Sequence, residues 1–435
     1  MKRSLLMASA LFFSGVVAAQ AAPKNIILLI GDGMGEAEIA LARAYEFNGD
    51  EGMFVDTMKD RGSVIVKQLM VEDPSKLEFA GSSASGGTTM STGYRTSEER
   101  VAVKAEDGSH YKTILEEAQE QGFKTGLVST AIITDATPAT FAAHTQNRYC
   151  YMQGLEDCLK FNETPVVEQM LDQHVDVMLG GGYNMLPAGE ASGGTVEEKA
   201  KANGYTIITK RDELMDLKPG TKTFGVFSDG HMPVEWRGPN GNEPDFIEID
   251  VNRVAIFPEP EACEINPAHK DMPRIEEMTD FAIKSLDNND KGFFLMVEGA
   301  SIDKQTHLAK ACGAIGEMLA FDRAVKMAVE YAKEKGDTAV IVTADHGGGT
   351  QVIYKPASYD GSPLRREHIP GLYQALLTKG GHKLNAYYGT NNVNDQSHTG
   401  VNVPIYTYGM DNADDLKGTI QQTAIYPAMM KFLFD

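Results

Sequence analysis

Short apolar runs recur along the chain, and four of them end near an ionisable residue. The four runs and the residues that follow them are Asn25–Ile30 with Asp32, Gly126–Ser129 with Asp135, Gly292–Val297 with Glu298, and Ala339–Thr343 with Asp345 and His346. Because the apolar residues are continuous rather than alternating, these runs predict strands buried on both faces, as in a parallel sheet.

Between these runs, apolar residues recur every three or four positions, which predicts amphipathic helices. One such pattern begins at Ile114 and ends at Gly122, and a longer one begins at Ile315 and ends at Gly336. Strands that alternate with helices predict an α/β fold with a mostly parallel central sheet. In such folds ligands bind beyond the carboxyl ends of the strands, where the ionisable residues named above lie.

The strand and helix pattern breaks down between His346 and His398. Residues 354–394 are rich in Gly, Pro, Tyr and Asn, and we expect an excursion from the sheet there, at the rim of the site or at a dimer contact. Gly180–Gly182 is predicted to be a turn. We find no internal repeat, long low-complexity tract or domain linker.

The N-terminus has the three parts of a secretory signal peptide. Lys2 and Arg3 are positive, residues 5–17 form an apolar run, and Ala19 and Ala21 form an A-x-A cleavage site. We therefore expect residues 1–21 to be removed, residues 22–435 to form the functional domain, and the protein to be periplasmic or secreted. No later stretch reaches 18 apolar residues, so no membrane span is expected.

The formal net charge of the chain is −21 at pH 7. Nucleic acids and anionic lipids bind basic surfaces, so this acidity argues against both classes of partner. The charge has two interpretations: general solubility, or adaptation to salty surroundings in which carboxylates repel each other less.

The four cysteines are Cys150, Cys158, Cys263 and Cys312. An even number in an exported chain favours two disulfides, for which three pairings exist. The spacing favours a short Cys150–Cys158 loop, which leaves Cys263 to pair with Cys312. No C-x-x-C pair is present, so a zinc site built on thiolates is not expected.

Candidate metal ligands lie in the second half of the chain. Asp303 and His307 are four residues apart, so on a helix they lie on one face, within reach of one metal ion. Asp345 and His346 follow a predicted strand, and His398 lies further downstream. Any one of these residues alone is more often structural, but their shared placement at predicted strand ends favours a metal site.

The candidate nucleophile is a serine in residues 81–93, GSSASGGTTMSTG. Small residues followed by a helix-compatible stretch predict a serine at a helix N-terminus, where backbone N–H groups and the helix dipole favour a phosphate group. On composition alone, a flexible Ser/Gly loop explains the segment equally well.

Longer motifs resemble those of bacterial periplasmic alkaline phosphatases, from about Asn25 to the C-terminus. The matching segments, in chain order, are Ile30–Gly35, Asp135–Ala139 followed by His144 and Arg148, Val297–Gln305 with His307, Val342–His346, and His398–Gly400. Several motifs in the same order are a specific signal. The resemblance implies the alkaline phosphatase fold, with helices on both faces of the sheet and a crown-type insertion at about 354–394.

The resemblance also implies two Zn²⁺ ions and one Mg²⁺ ion per subunit, small phosphate monoesters as substrates, and a homodimer. The implied ligands are Asp303, His307 and His398 for one zinc, Asp32, Asp345 and His346 for the second, and Asp32, Thr137 and Glu298 for magnesium, with Asp135 reaching magnesium through water. These ligand types agree with the preferences of the ions, since imidazole with carboxylate suits zinc and oxygen ligands suit magnesium.

The implied mechanism uses a serine nucleophile. Ser83 attacks phosphorus to form a phosphoserine intermediate that water then hydrolyses, and Arg148 binds two phosphate oxygens with its guanidinium fork. Three positions depart from the family pattern: Ser82 and Thr306 replace aspartates, and Gly348 replaces a histidine. These departures bear on rate, phosphate affinity and zinc affinity, and leave the reaction class unchanged.

Two alternative functions are compatible with parts of this pattern. One is a phosphodiesterase or sulfatase of the same superfamily. A sulfatase needs a C/S-x-P-x-R motif, which we do not find, and a diesterase commonly lacks the third metal site and the arginine. The other is a non-catalytic exported protein that binds metal or phosphate, which would need no serine beside a metal.

Overall fold

The computed structural model describes residues 24–50, 52–152, 156–189, 193–241, 248–354, 362, 364 and 371–435. The predicted signal peptide, residues 1–21, lies outside the described residues, and so does most of 355–370 within the predicted insertion. Among the described residues, no helix is long and apolar enough to cross a membrane.

Strands and helices alternate along most of the described chain. The strands are β1 (Asn25–Gly31), β2 (Asp60–Ile65), β3 (Gln68–Leu69), β4 (Leu77–Glu78), β5 (Lys124–Ile132), β6 (Val177–Gly181), β7 (Thr206–Ile208), β8 (Thr223–Val226), β9 (Trp236–Arg237), β10 (Glu248–Ile249), β11 (Ala255–Ile256), β12 (Glu264–Ile265), β13 (Phe293–Gly299), β14 (Thr338–Thr343), β15 (Thr350–Val352), β16 (Leu372–Leu377), β17 (Lys383–Tyr388), β18 (Val403–Tyr408) and β19 (Gly418–Gln421). The α-helices are α1 (Glu36–Phe47), α2 (Ser83–Thr92), α3 (Ile114–Glu120), α4 (Ala136–Ala142), α5 (Glu156–Phe161), α6 (Val166–Asp172), α7 (Val196–Ala202), α8 (Arg211–Asp216), α9 (Ile275–Leu286), α10 (Ser301–His307), α11 (Ala311–Lys335) and α12 (Ile425–Phe434).

Ten of the described strands form one central sheet in the order β19-β2-β18-β14-β1-β13-β5-β6-β8-β7. The strands from β14 to β7 are parallel to one another, whereas β18 is antiparallel to both of its neighbours. The prediction of an α/β fold on a mostly parallel sheet is therefore confirmed.

Helices cover both faces of the sheet. In β13, successive side chains point to opposite faces. The Phe293 ring contacts Tyr331 of α11, and the next ring, Phe294, contacts Phe141 of α4. Helices α1 and α9 pack with α11 on the first side, and α2, α3 and α12 pack with α4 or with one another on the second. The sheet is therefore shielded on both faces, as its continuous apolar runs predict.

The register of the central strands brings three predicted site residues to one edge. In β1, Ile30 is paired with Glu298 of β13 on one side and with Thr343 of β14 on the other. Asp32 and Asp345 lie two residues beyond the paired Ile30 and Thr343. All three carboxylates therefore meet at the carboxyl edge of the sheet, although they are far apart in the chain.

The prediction of a turn at Gly180–Gly182 is wrong for two of its three residues. Gly180 and Gly181 are part of β6, and only Gly182, with φ of 107°, leaves the strand. The lack of a side chain at Gly181 permits close packing, because a Cβ there would lie only 2.0 Å from the backbone oxygen of Gly230. Glycine in a strand can mark such a close backbone approach rather than a turn.

The segment after His346 leaves the central sheet, in line with the prediction. Strands β15, β17 and β16 form a separate antiparallel sheet of three strands.

Both predicted disulfides are present, Cys150 with Cys158 and Cys263 with Cys312. The second disulfide joins the segment before α9 to the first turn of α11.

Candidate active site

Helix α2 places Ser83 at its first position, with Ser82 as the N-cap residue. The Ser82 hydroxyl accepts a hydrogen bond from the N–H of Ser85 at 3.3 Å, and the Ser85 hydroxyl accepts one from the N–H of Ser82 at 3.0 Å. The two serines thus cap the helix reciprocally. The predicted serine at a helix N-terminus is confirmed, and the flexible-loop alternative is wrong for this segment.

The glycines of α2 allow the helix to pack directly against the site. A Cβ on Gly86 would lie 2.5 Å from the backbone oxygen of Asp345, and a Cβ on Gly87 would lie 2.5 Å from Oγ1 of Thr140. Larger side chains would force these neighbours apart. Gly86 therefore allows α2 to approach the segment that carries Asp345, and Gly87 allows it to approach α4.

The Ser83 hydroxyl lies between a histidine and a carboxylate. Its Oγ is 3.3 Å from Nε2 of His346 and 3.5 Å from Oδ1 of Asp32. The same Nε2 is 3.2 Å from Oδ1 of Asp32. All three residues are buried, with Ser83 only 4% exposed. The arrangement follows from the sheet, since Asp32 and His346 come from the ends of the adjacent strands β1 and β14.

Asp345 is held rigidly beside this group. Its Oδ1 accepts hydrogen bonds from the N–H of Gly33 at 3.1 Å and from the N–H of His346 at 3.0 Å. Its Oδ2 lies 3.5 Å from Nε2 of His346 and has no hydrogen-bond partner in the described structure. Burial, together with the negative charge of Asp32, raises the pKa of Asp345 well above its usual range.

Asp303, His307 and His398 form a second group next to the first. Nε2 of His307 is 3.0 Å from Oδ2 of Asp303, and Nε2 of His398 is 3.6 Å from Oδ1. The Nδ1 atoms face backbone carbonyls, of Gln396 for His307 and of Gly81, at 2.8 Å, for His398. Each ring therefore directs Nε2 toward Asp303, and the two Nε2 atoms are 3.0 Å apart. The three predicted ligands are thus brought together, and the backbone carbonyls that face the Nδ1 atoms orient both rings.

Thr137 lies in the first turn of α4, and Glu298 lies one residue before the end of β13. Glu298 accepts a hydrogen bond from the Ser129 hydroxyl. Burial and the charges of Asp32 and Asp135 raise the pKa of Glu298 to about 8. Oγ1 of Thr137 is buried and has no hydrogen-bond partner among the described residues. Both side chains offer oxygen atoms to a cation.

Asp135 caps helix α4 and binds two cationic side chains. Its Oδ1 accepts a hydrogen bond from Nη2 of Arg148 at 2.8 Å, and its Oδ2 accepts one from Nζ of Lys304 at 2.7 Å. Burial raises the pKa of Asp135, but the charges of Lys304 and Arg148 outweigh burial and hold that pKa well below its usual range. The carboxylate stays ionised and anchors both cations at the site.

The residues present fit divalent cations. Asp303, His307 and His398 offer ligand atoms within 4.8 Å of one another, and so do Asp32, Asp303 and His346. Asp345, predicted with Asp32 and His346, adds an unpartnered Oδ2 at the same place. Several buried carboxylates repel each other unless positive charge lies between them. Carboxylate with imidazole is a donor set typical of zinc, and the predicted magnesium ligands Asp32, Thr137 and Glu298 offer only oxygen atoms, which magnesium prefers.

His231 also lies at this site, and the sequence did not single it out. The side chain extends from the loop after β8, with Nδ1 4.0 Å from Oδ2 of Asp135. A lone histidine in a loop gives no periodicity or spacing that would mark it. Only the three-dimensional approach of that loop to the end of β5 reveals its position.

The contacts of the three residues that depart from the family pattern are defined in the structure. Ser82 is engaged in helix capping, as described above. Oγ1 of the buried Thr306 donates a hydrogen bond to the backbone oxygen of Ile302 at 3.0 Å. A Cβ on Gly348 would lie 2.5 Å from Oε1 of the buried Glu38 and 2.9 Å from the backbone oxygen of Gly33. A side chain at position 348 would therefore require both neighbours to move.

Comparison with known proteins gives a consistent result. The family model described as Alkaline phosphatase matches residues 23–395. The alkaline phosphatase of Escherichia coli strain K12 is 38% identical over 423 residues, which cover 93% of this chain and 85% of that protein. Alkaline phosphatase H of Pseudomonas aeruginosa is 37% identical, over 93% of this chain and 83% of that protein.

Solved structures show the same fold. A mutant of TAB5 alkaline phosphatase, an enzyme from an Antarctic bacterium, has magnesium bound in its M3 site. That structure is 25% identical in sequence and aligns with a TM-score of 0.68, covering 95% of this chain and 98% of that chain.

Proposed function

This chain belongs to the alkaline phosphatase family and is a phosphoric monoester hydrolase, and we propose that Ser83 is its nucleophile and Arg148 its phosphate-binding residue. The observation that most directly supports this proposal is the position of the Ser83 hydroxyl. It lies at the N-terminus of a buried helix, 3.3 Å from Nε2 of His346 and 3.5 Å from Oδ1 of Asp32. A serine in that position is close to groups that can hold a cation and to backbone N–H groups that can hold a phosphate.

The reaction proceeds in two displacements. Oγ of Ser83 attacks phosphorus, the ester oxygen departs with the alcohol, and a phosphoserine forms. Water then attacks the phosphoserine, releasing inorganic phosphate and restoring Ser83. Two inversions at phosphorus give net retention of configuration.

Arg148 binds the phosphoryl group during both steps. Its Nη2 is held by Asp135, whereas Nη1 has no hydrogen-bond acceptor within the described residues. The guanidinium is therefore fixed on one side and available to two phosphate oxygens on the other. A bidentate fork of this kind suits a tetrahedral oxyanion better than a lysine does.

Three cations fit the residues of the site. We propose two Zn²⁺ ions and one Mg²⁺ ion per subunit. The ligands of the first zinc are Asp303, His307 and His398, and those of the second are Asp32, Asp345 and His346. Magnesium is bound by Asp32, Thr137 and Glu298, and Asp135 reaches it through water. Bound divalent cations supply positive charge that favours the serine alkoxide and the departing alkoxide. Oδ2 of Asp345 and Oγ1 of Thr137 are buried, and neither has a hydrogen-bond partner among the described residues, which supports this assignment.

Export and assembly complete the proposal. The N-terminal pattern supports a signal peptide in residues 1–21 and a periplasmic or secreted protein. A homodimer is proposed from the family resemblance. Sequencing the N-terminus of the protein recovered from the periplasm or medium, and measuring its mass in solution, test the two points separately.

The decisive experiment compares p-nitrophenyl phosphate with bis(p-nitrophenyl) phosphate, each with and without a chelator. We expect rapid hydrolysis of the monoester, slow hydrolysis of the diester, and loss of the monoester activity when the metals are removed. Faster hydrolysis of the diester would instead identify a phosphodiesterase. Binding of phosphate without turnover of either ester would identify a binding protein.

A further inference from the structure

Backbone hydrogen bonds hold the loop after β8, residues 227–232, against β5 and the segment that follows β6. The carbonyl of Ser228 accepts hydrogen bonds from the N–H groups of Gly182 and Tyr183, at 2.8 and 2.7 Å. The N–H of Met232 donates to the carbonyl of Thr130 in β5 at 2.9 Å. Because Gly230 also lies directly against Gly181, the backbone on both sides of His231 has a defined position.

A hydrogen bond also fixes the orientation of the His231 ring. The N–H of Ile132 donates to Nδ1 at 3.1 Å. A nitrogen that accepts a hydrogen bond carries no proton, so the ring is neutral and Nε2 carries the hydrogen. Within the part of the chain that the structure describes, no protein atom accepts a hydrogen bond from Nε2. His231 thus presents one oriented, unused donor.

His231 lies beside Asp135, the carboxylate that holds the proposed phosphate-binding residue Arg148. Its Nδ1 is 4.0 Å from Oδ2 of Asp135, the oxygen that also binds Lys304. The His231 side chain is 43% exposed, whereas that of Arg148 is 17% exposed and Ser83 is only 4% exposed. The proposed phosphoryl position at Ser83 and Arg148 is therefore more deeply buried than His231. His231 contacts the same carboxylate as Arg148 and is exposed to solvent, so an organic group that extends from the phosphoryl position toward solvent has His231 among its polar neighbours.

We infer that His231 determines substrate specificity by donating a hydrogen bond from Nε2 to an oxygen atom in the organic group of the phosphate monoester. This inference rests on the proposed function, because it presupposes an ester bound at Ser83. Esters of polyols and sugars, which carry hydroxyl or ring oxygens, are favoured over esters of apolar alcohols. The competing role is purely structural, with His231 serving only to satisfy the N–H of Ile132.

Two substitutions separate these roles. In His231→Asn, the side-chain oxygen replaces Nδ1 as acceptor for Ile132, and the donor at the Nε2 position is lost. In His231→Gln, the longer amide restores an N–H near the Nε2 position. His382→Asn is the matched control, since His382 is exposed on the turn between β16 and β17.

The substrates are glycerol 1-phosphate and n-propyl phosphate, which have the same carbon chain with and without hydroxyl groups. We expect His231→Asn to lower kcat/KM for glycerol 1-phosphate about three- to tenfold, mainly through KM, as is typical for the loss of one hydrogen bond. The value for propyl phosphate, the inhibition constant of inorganic phosphate and the urea unfolding midpoint stay unchanged. His231→Gln recovers most of the loss, and His382→Asn behaves as wild type.

Three outcomes would overturn the inference. Equal losses on both esters would show a structural role. A weaker inhibition by inorganic phosphate would show that His231 contacts the phosphoryl group instead. Unchanged kinetics on both esters would show that Nε2 contacts no substrate. Failure of the proposed function is distinct, because the wild-type protein would then hydrolyse neither ester.

Discussion

Arg148 and Asp135 form a partly buried ion pair in which Nη2 of the guanidinium lies 2.8 Å from Oδ1 of the carboxylate. Asp135 caps the start of α4, and Arg148 lies in the segment that follows this helix, where its N–H donates to the carbonyl of Glu99 at 2.8 Å. The charge of Asp135 raises the pKa of Arg148 despite burial, which acts in the opposite direction. An acidic partner for Arg148 is therefore present although position 82 holds a serine.

Ser82→Asp should strengthen phosphate binding only modestly. In the family pattern an aspartate at position 82 holds the arginine, so we expect a carboxylate there to restrain Arg148, but Asp135 already provides one restraint. We expect the inhibition constant of inorganic phosphate to fall about two- to threefold, as is typical of a partly exposed ion pair. Where phosphate release limits turnover, kcat falls with it. Ser82→Asn, which has the same shape without the charge, is the control, and an equal change in that variant would exclude the charge effect.

Ser83→Ala should abolish the covalent route. We expect kcat for an aryl phosphate to fall at least about a thousandfold, because the enzyme would lose its proposed nucleophile. Acid quenching of wild type with labelled substrate should leave the label on the peptide that contains Ser83. Ser85→Ala, two residues after Ser83 in the same helix, tests the assignment of the loop. If Ser85→Ala lost the label and Ser83→Ala kept it, the nucleophile would be Ser85.

Magnesium should stimulate the zinc-loaded enzyme. Lys304 lies against Asp135 at the third proposed metal site, and an ammonium group cannot ligate a metal. The remaining donors there are oxygen atoms, which favour a hard cation. After chelation, activity should be low with zinc alone and rise several-fold when magnesium is added. Full activity with zinc in all three sites, established by metal analysis, would contradict this prediction.

Removal of the two disulfides should destabilise the protein unequally. The Cys263–Cys312 bond closes a loop of 49 residues and the Cys150–Cys158 bond a loop of 8. In the chain-entropy treatment, closing these loops stabilises the folded protein by about 4 and about 2.5 kcal/mol, respectively. The urea midpoint should therefore fall further in Cys263→Ala/Cys312→Ala than in Cys150→Ala/Cys158→Ala. The reverse order would show that chain entropy does not control the effect.

Glu317 should make stability depend on pH. The side chain is buried in α11, its Oε1 accepts the N–H of Glu235 at 2.9 Å, and burial raises its pKa to about 8. The unfolded chain releases this proton near pH 4.5 and the folded chain only near pH 8, so stability falls as pH rises through that window.

The matched variant for this effect is Glu317→Gln, which keeps a carbonyl acceptor for Glu235 and carries no charge. Between pH 6 and pH 9, the wild type should lose up to about 3 kcal/mol relative to the variant. Urea unfolding of both proteins at the two pH values measures the difference. Parallel pH profiles would show that Glu317 does not titrate in this range.

Much of the site was predictable because parallel sheets concentrate strand ends. The continuous apolar runs placed Asp32, Glu298 and Asp345 at one edge before any strand order was known. The spacing of Asp303 and His307 required only a helical turn, and α10 provides it. Local pattern and a general property of the fold were sufficient for these residues.

The remaining features depend on contacts between distant segments. Gly180 and Gly181 have the composition of a turn, but the approach of Gly230 keeps them in a strand. His231 reaches the site through the same approach, which no local pattern reveals. The pairing of Arg148 with Asp135, rather than with a residue at position 82, likewise follows from how α4 packs against the sheet.

The position of β1 has a consequence for synthesis. This strand occupies residues 25–31, yet both of its neighbours, β13 and β14, lie beyond residue 292. At ribosomal speeds of about 5–20 residues per second, β1 waits roughly 15–60 s before its second partner has been made. This apolar strand, buried along its whole length in the folded protein, therefore stays without its sheet partners for most of translation.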